Sequence, residues 1–248
     1  MNRSNVLARL LTLTCITGLV GSTALVTGCQ HNDAIGKQQL LLDNARKQGI
    51  TYYEAGDYAN AAGSLQNAVR QDPRDYLAFY YLGMSYDGLT SYQQAIGSFN
   101  SALDMIQKDR EGKFDKSTRL KIINGLAGSI AKSDNREREI ATILQRVNSR
   151  DNAQDWFILA KTYRNMGDAD AAMDAYNRAN KLEPRNFIIA KDYGLYLEGT
   201  GQAAKAEQML KSAYRIDSSD NQVADALRRL GIVPGPSLNS NSASAPRD

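Results

Sequence analysis

The chain has 248 residues, 42% of them hydrophobic and 23% charged, which suits one soluble domain or one repeat array. Only 5 Pro and 1 Trp stand against abundant Ala, Leu and Tyr, a mixture that favours helices over sandwiches or barrels. The formal charge of +3 falls to +1 without Arg3 and Arg9, so there is no long-range field to draw nucleic acid.

In chain order, Met1 to Arg9 carries two Arg and no acid, and Leu10 to Val26 is apolar, diluted by Thr, Gly and Ser. Val26-Thr27-Gly28-Cys29 follows. A basic start, an apolar middle and small residues before a cut form the layout of a secretory signal, here residues 1–28. The segment resembles the bacterial lipoprotein signal, although Val26 and Thr27 depart from its commonest form. That resemblance implies cleavage before Cys29, diacylglycerol on its thiol and a fatty acyl group on its new amine, with no other cofactor. An acyl chain contributes about 0.8 kcal/mol per buried CH₂, so several chains on one residue anchor firmly. Gln30 stands where an Asp would mark inner-membrane retention in enteric-type lipoproteins, which implies the outer membrane, with the body facing the periplasm. On the residues alone, an uncleaved membrane anchor or a plain signal remains an alternative. Cys15 lies in the removed segment and Cys29 is capped, so the mature body holds together without disulfides. Residues 29–41 read as a tether.

From residue 42 the sequence repeats itself at a shift of 34. Gly49 falls on Gly83, Tyr52 on Tyr86, Ala61 on Ala95, Leu65 on Phe99 and Ala68 on Ala102. Further on, Trp156 falls on Ala190, Ala160 on Gly194, Ala172 on Ala206, Tyr176 on Leu210 and Ala179 on Ala213. Apolar residues at steps of three and four give each segment one buried stripe, and the small residues let two antiparallel backbones approach. Gly56, Gly167 and Gly201 mark turns, Asp57 and Asp168 can cap the helices that follow, and Pro73 and Pro184 end the hairpins. Trp156-x2-Leu159-Ala160-x2-Tyr163 and Phe79-x2-Leu82-Gly83-x2-Tyr86 resemble the signature of the tetratricopeptide repeat (TPR) family. The resemblance implies an all-α superhelix of about five helix-turn-helix repeats with a capping helix. The units are 42–75, 76–109, a degenerate 118–152, 153–186 and 187–220, with a cap over 221–231. In the degenerate unit, an insertion at Lys108–Lys116 precedes helices near Ser117–Ala131 and Asn135–Val147. Ile123, Leu126, Ala127, Ile130, Ile143 and Leu144 form its buried stripe. Residues 232–248 read as a tail too polar to pack.

Catalytic chemistry has little to work with. The only His, His31, sits on the tether, so neither a metal cluster nor a Ser–His pair is available. No Gly-rich phosphate loop precedes a helix, and the acids fall mostly on outer helix faces. The expectation is a non-enzyme with no small-molecule substrate and no metal. In the TPR family the first helix of each unit lines a concave face, which places a peptide-binding groove on Arg46, Ile50, Tyr53, Leu77, Tyr80 and Met84 in the N-terminal half. Phe157, Lys161, Arg164 and Lys191, with Ile188 and Leu195, line its C-terminal half. Apolar anchors at one end and positive charge at the other suit a peptide with an acidic end. The alternative is that some of these residues pack against the chain's own tether or cap. Lipid-anchored arrays of this size resemble pilus assembly lipoproteins of the tight-adherence (Tad/Flp) type and type IV pilotins, which implies secretin, pilus or secretion components as partners. An adaptor for peptidoglycan enzymes is the rival reading.

Overall fold

The structure, a computed structural model, describes residues 44–108 and 116–238. The signal, Cys29, the tether, most of the charged insertion and the end of the tail lie outside those residues. Among the described residues there are helices and no strands. A helix over residues 44–54 (α1) pairs with α2 (Tyr58–Gln71), and α3 (Tyr76–Gly88) with α4 (Tyr92–Lys108). α5 (Lys116–Lys132) and α6 (Arg136–Ser149) follow, then α7 (Ala153–Met166) with α8 (Ala169–Leu182) and α9 (Phe187–Gly199) with α10 (Ala203–Ile216). α11 (Asn221–Arg229) closes the series.

Local chemistry explains the punctuation. Asp57 and Asp168 accept from the backbone N–H three residues on, at 3.2 and 3.0 Å, satisfying donors that a helix start leaves open. Gly56, Gly167 and Gly201 hold φ near +80° at the hairpin turns. The equivalent place in the second unit is taken by Thr90, which adopts φ 56° despite its branched side chain.

The close pairing of helices has one repeated cause. A glycine in the first helix faces a large residue sixteen positions later in the second. A Cβ on Gly49 would lie 2.5 Å from Leu65 Cγ, on Gly83 2.8 Å from the Phe99 ring, and on Gly194 2.8 Å from Leu210 Cγ. These contacts seat Leu65, Phe99 and Leu210, all fully buried, directly on the facing backbone.

The third unit breaks this rule, and the fold bends to it. Sixteen residues after Gly125 stands Ala141, which is exposed and too small to fill the notch. Phe99 of α4 fills it instead, 2.5 Å from a Cβ placed on Gly125. As a result α5 packs extensively on α4 and α7 but only lightly on α6. Ile123, Leu126, Ala127, Ile130 and Ile143 are buried, while Leu144 is only partly so. One continuous core runs from Ala95 to Leu227, and a second joins α2 and α3 through Ala61, Leu65, Ala78 and Leu82.

At the C-terminal end Arg229 donates to both Glu198 oxygens at 2.6 and 2.8 Å, tying α11 to α9. The first part of the expected tail is not loose. Ile232 and Leu238 pack against the core, and Arg215 Nε donates to the Leu238 carbonyl at 3.0 Å. Two apolar residues among the polar ones suffice to hold residues 232–238 against the last hairpin.

Candidate protein-binding site

The N-terminal half of the proposed face is aromatic. Tyr53 on α1 lies 5.7 Å from the Tyr58 ring and 5.5 Å edge-on from Tyr81. Tyr80 on α3 lies 5.1 Å edge-on from Tyr81 and 6.2 Å from Phe99. Ring contacts at these separations prefer such tilted geometries and fix the side chains. Ile50, Tyr53, Leu77, Tyr80 and Met84 are all partly exposed. Burial, helped by neighbouring tyrosines, raises the pKa of Tyr53 and Tyr80, so both hydroxyls stay neutral donors at ordinary pH. Tyr80 and Met84 line a cavity of about 350 Å³ whose other wall is α5.

The C-terminal half differs from expectation. Phe157 is 2% exposed, edge-on to Tyr176 at 6.1 Å, and Lys161 is 7% exposed. Lys161 Nζ donates to both Asp192 oxygens at 2.8 Å, and the Tyr176 hydroxyl donates to Oδ2 at 2.5 Å. Arg164 stands 3.8 Å from the same carboxylate and over the Tyr196 ring at 5.4 Å. Burial pushes the Lys161 ammonium below lysine's usual range, against the opposing pull of Asp192. Burial first, then Asp192, pushes the Tyr176 hydroxyl upward. These side chains join the fourth unit to the fifth; Asp192 balances the buried Lys161, while the exposed Arg164, farther from the same carboxylate, keeps an uncompensated charge.

Arg46 and Lys191 are committed as well. Arg46 reaches Asp75 at 2.9 Å, and Lys191 reaches Asp220 at 2.6 Å while lying over the Phe187 ring. Both acids are N-caps of the next first helix, and both pairs span 29 residues. Where the next N-cap is the neutral Asn186, the cation's place is taken by Phe157. The cations at this repeat position are thus inter-unit ties. Of the C-terminal set, Ile188, Leu195 and the paired Lys191 border a cavity of about 530 Å³, together with Leu120 and Ile216.

The helix that sequence reasoning left off this face is α5. Its exposed residues Lys121 and Asn124, with Gly128, border the cavity opposite Tyr80. The signal was present: a buried stripe through Ile123, Leu126 and Ile130 leaves 121, 124 and 128 on the other side of a 3.6-residue helix. Without the TPR signature there was no repeat position from which to carry them. Trp156 packs against the core, with Arg178 over its ring at 4.6 Å and its Nε1 donating to Asp151. Among the described residues no cluster of His, Cys, Asp and Glu is arranged to hold a metal, and no helix is long and apolar enough to cross a membrane.

The tetratricopeptide repeat family model matches residues 46–110, and a second model of the same description matches residues 153–186. The chain carries tetratricopeptide repeats. Among curated proteins, superkiller complex protein 3 of Homo sapiens is 34% identical over 59 residues, which are 24% of this chain and 4% of that protein. Among solved structures, a thermophilic TPR protein of Thermus thermophilus is 19% identical, with a TM-score of 0.40, over 77% of this chain and 97% of that one. The pilF protein of Pseudomonas aeruginosa is 15% identical, with a TM-score of 0.40, over 79% and 85%. YrrB, described as a TPR protein with an unusual peptide-binding site, is 16% identical, with a TM-score of 0.38, over 79% and 97%. TPR arrays are in general non-enzymatic scaffolds for protein–protein interaction, because stacked hairpins display a continuous face.

Proposed function

We propose that this TPR protein is a lipid-anchored scaffold of the bacterial outer membrane that grips a segment of another protein in the periplasm. The observation that carries the gripping role is the pair of fixed but partly exposed Tyr53 and Tyr80, the second of which lines an open cavity with Met84. Rigid aromatic side chains give contact area at low entropic cost, which is what anchor residues of an interface need. The anchoring role rests on Val26-Thr27-Gly28-Cys29 behind a basic and apolar leader. Size, anchor and repeat number together fit an assembly factor for an envelope-spanning machine. The pilus systems of the tight-adherence type are the reading we favour, with secretin, pilus or secretion components as partners.

The test has two arms. Labelling of growing cells with radioactive palmitate should mark the wild-type protein and leave Cys29→Ser unmarked and released from membranes. Deleting the gene should remove surface filaments while cell shape stays normal. Unlabelled wild-type protein would refute the anchor. Altered shape with intact filaments would refute the pilus role and favour an adaptor for peptidoglycan enzymes.

A further inference from the structure

We propose that the cavity between α3 and α5 takes an extended segment of the partner carrying an acidic residue beside a bulky apolar one, and that Lys121 reads the acid. This rests on the scaffold reading and gives its partner a chemistry. Tyr80 and Met84 form one wall, and Lys121, Asn124, Gly125 and Gly128 form the other, with room for about 350 Å³ between them. Residues 121, 124, 125 and 128 share one face of α5 because a helix returns every three to four residues.

Charge selects the ligand. The acid bordering this cavity, Asp87, is already used: Oδ1 accepts from the Ser129 hydroxyl and Oδ2 from Lys132, both at 2.9 Å. Lys132 is thereby neutralised. Lys121 is exposed and has no hydrogen-bond or ion-pair partner among the described residues. Arg46, Lys161 and Lys191 are each paired with an acid of the chain, and Arg164 stands over Tyr196 in the C-terminal half, so the unbalanced charge bordering the Tyr80 and Met84 wall is that of Lys121. A carboxylate beside an apolar side chain satisfies both features at once. A single unbalanced cation is too little for a nucleic-acid backbone, whose binding needs many.

Gly128 keeps the space open. A Cβ there would meet only Asn165 Nδ2, at 4.0 Å, so a methyl is accommodated, and a longer side chain borders the cavity that Gly128 lines. That separates binding from folding.

The experiment uses the whole protein in detergent micelles and a phage-displayed library of random 12-residue peptides. Selected peptides should carry Asp or Glu within a few residues of Trp, Phe or Leu. By fluorescence anisotropy, Lys121→Glu should weaken them about tenfold or more, Lys121→Gln should act in the same direction, and an Asp→Lys peptide should bind Lys121→Glu better than wild type. Gly128→Leu should abolish binding with no fall in melting temperature. Peptides lacking acids, or bound equally by wild type and both site variants, would overturn the assignment of this cavity and leave the scaffold reading standing. Retention of no peptide by the wild-type protein would overturn both.

Discussion

Replacing Asp192 by Ala should destabilise the protein more than any substitution at an exposed charge. Asp192 accepts two bonds from Lys161 and one from Tyr176, and both donors are buried. Its removal leaves the ammonium without a partner and the hydroxyl without an acceptor in a low-dielectric interior. Orphaning one member of a buried pair costs about 3–5 kcal/mol. The Asp192 side chain keeps 17% of its exposure, so water can partly substitute, and about 2–4 kcal/mol is the expected loss. For a chain of this size, that lowers the melting temperature by roughly 5–15 °C. Lys161→Met removes the buried charge while keeping a flexible apolar stem, and should cost less than about 1.5 kcal/mol. The Lys161→Met, Asp192→Ala double variant should be more stable than Asp192→Ala alone. Glu207→Ala, which breaks the partly exposed i,i+4 pair with Lys211, should cost only a few tenths, about 0.3–0.5 kcal/mol. Urea and thermal unfolding followed by circular dichroism at 222 nm give each value. Should Asp192→Ala cost no more than Glu207→Ala, or the double variant show simple additivity, the buried network does not hold the fourth unit to the fifth.

Two glycines one turn apart in α5 should respond with opposite signs in the same unfolding assay. Gly125→Ala drives a methyl into the Phe99 ring and should destabilise by about 1–2 kcal/mol, whereas Gly128→Ala meets open space and should stabilise by about 0.5–1 kcal/mol. Alkaline pH provides a further test. Tyr176 holds its proton more tightly folded than unfolded, so its contribution is intact below about pH 10 and is lost as pH rises further, by up to about 1.4 kcal/mol per pH unit. Lys161 acts oppositely: its folded pKa is lowered, so stability rises as pH passes that value, and the gain ends near the usual lysine value of 10.5. Tyr176→Phe should therefore show a shallower loss of stability than wild type above pH 10.5, and an unchanged slope would count against a buried, proton-retaining hydroxyl.

Much of the fold was legible before any coordinates. Glycine at the hairpin turns, Asp57 and Asp168 as caps, and small residues where two antiparallel helices approach all follow from short-range rules. The third unit was legible only as a pair of helices. Its lost notch-filler, Ala141, does not announce in sequence that Phe99 of the preceding unit will take over. In the aromatic half, the exposure expected of Tyr53 and Tyr80 is present, both being partly exposed. The face was misread in its charged half, where repeat positions were treated as equivalent although their neighbours differ.

By itself the sequence determined the helical hairpins and their 34-residue register, because both arise from backbone preference and from spacing along one helix. Only the tertiary structure decided which lysine is available. Lys161 finds Asp192 31 residues away in the next unit, a meeting set by how two hairpins stack, while Lys121 borders an open cavity whose acid, Asp87, is already paired with Lys132. Charge at a repeat position is a local property, but its neutralisation depends on a neighbour that packing supplies.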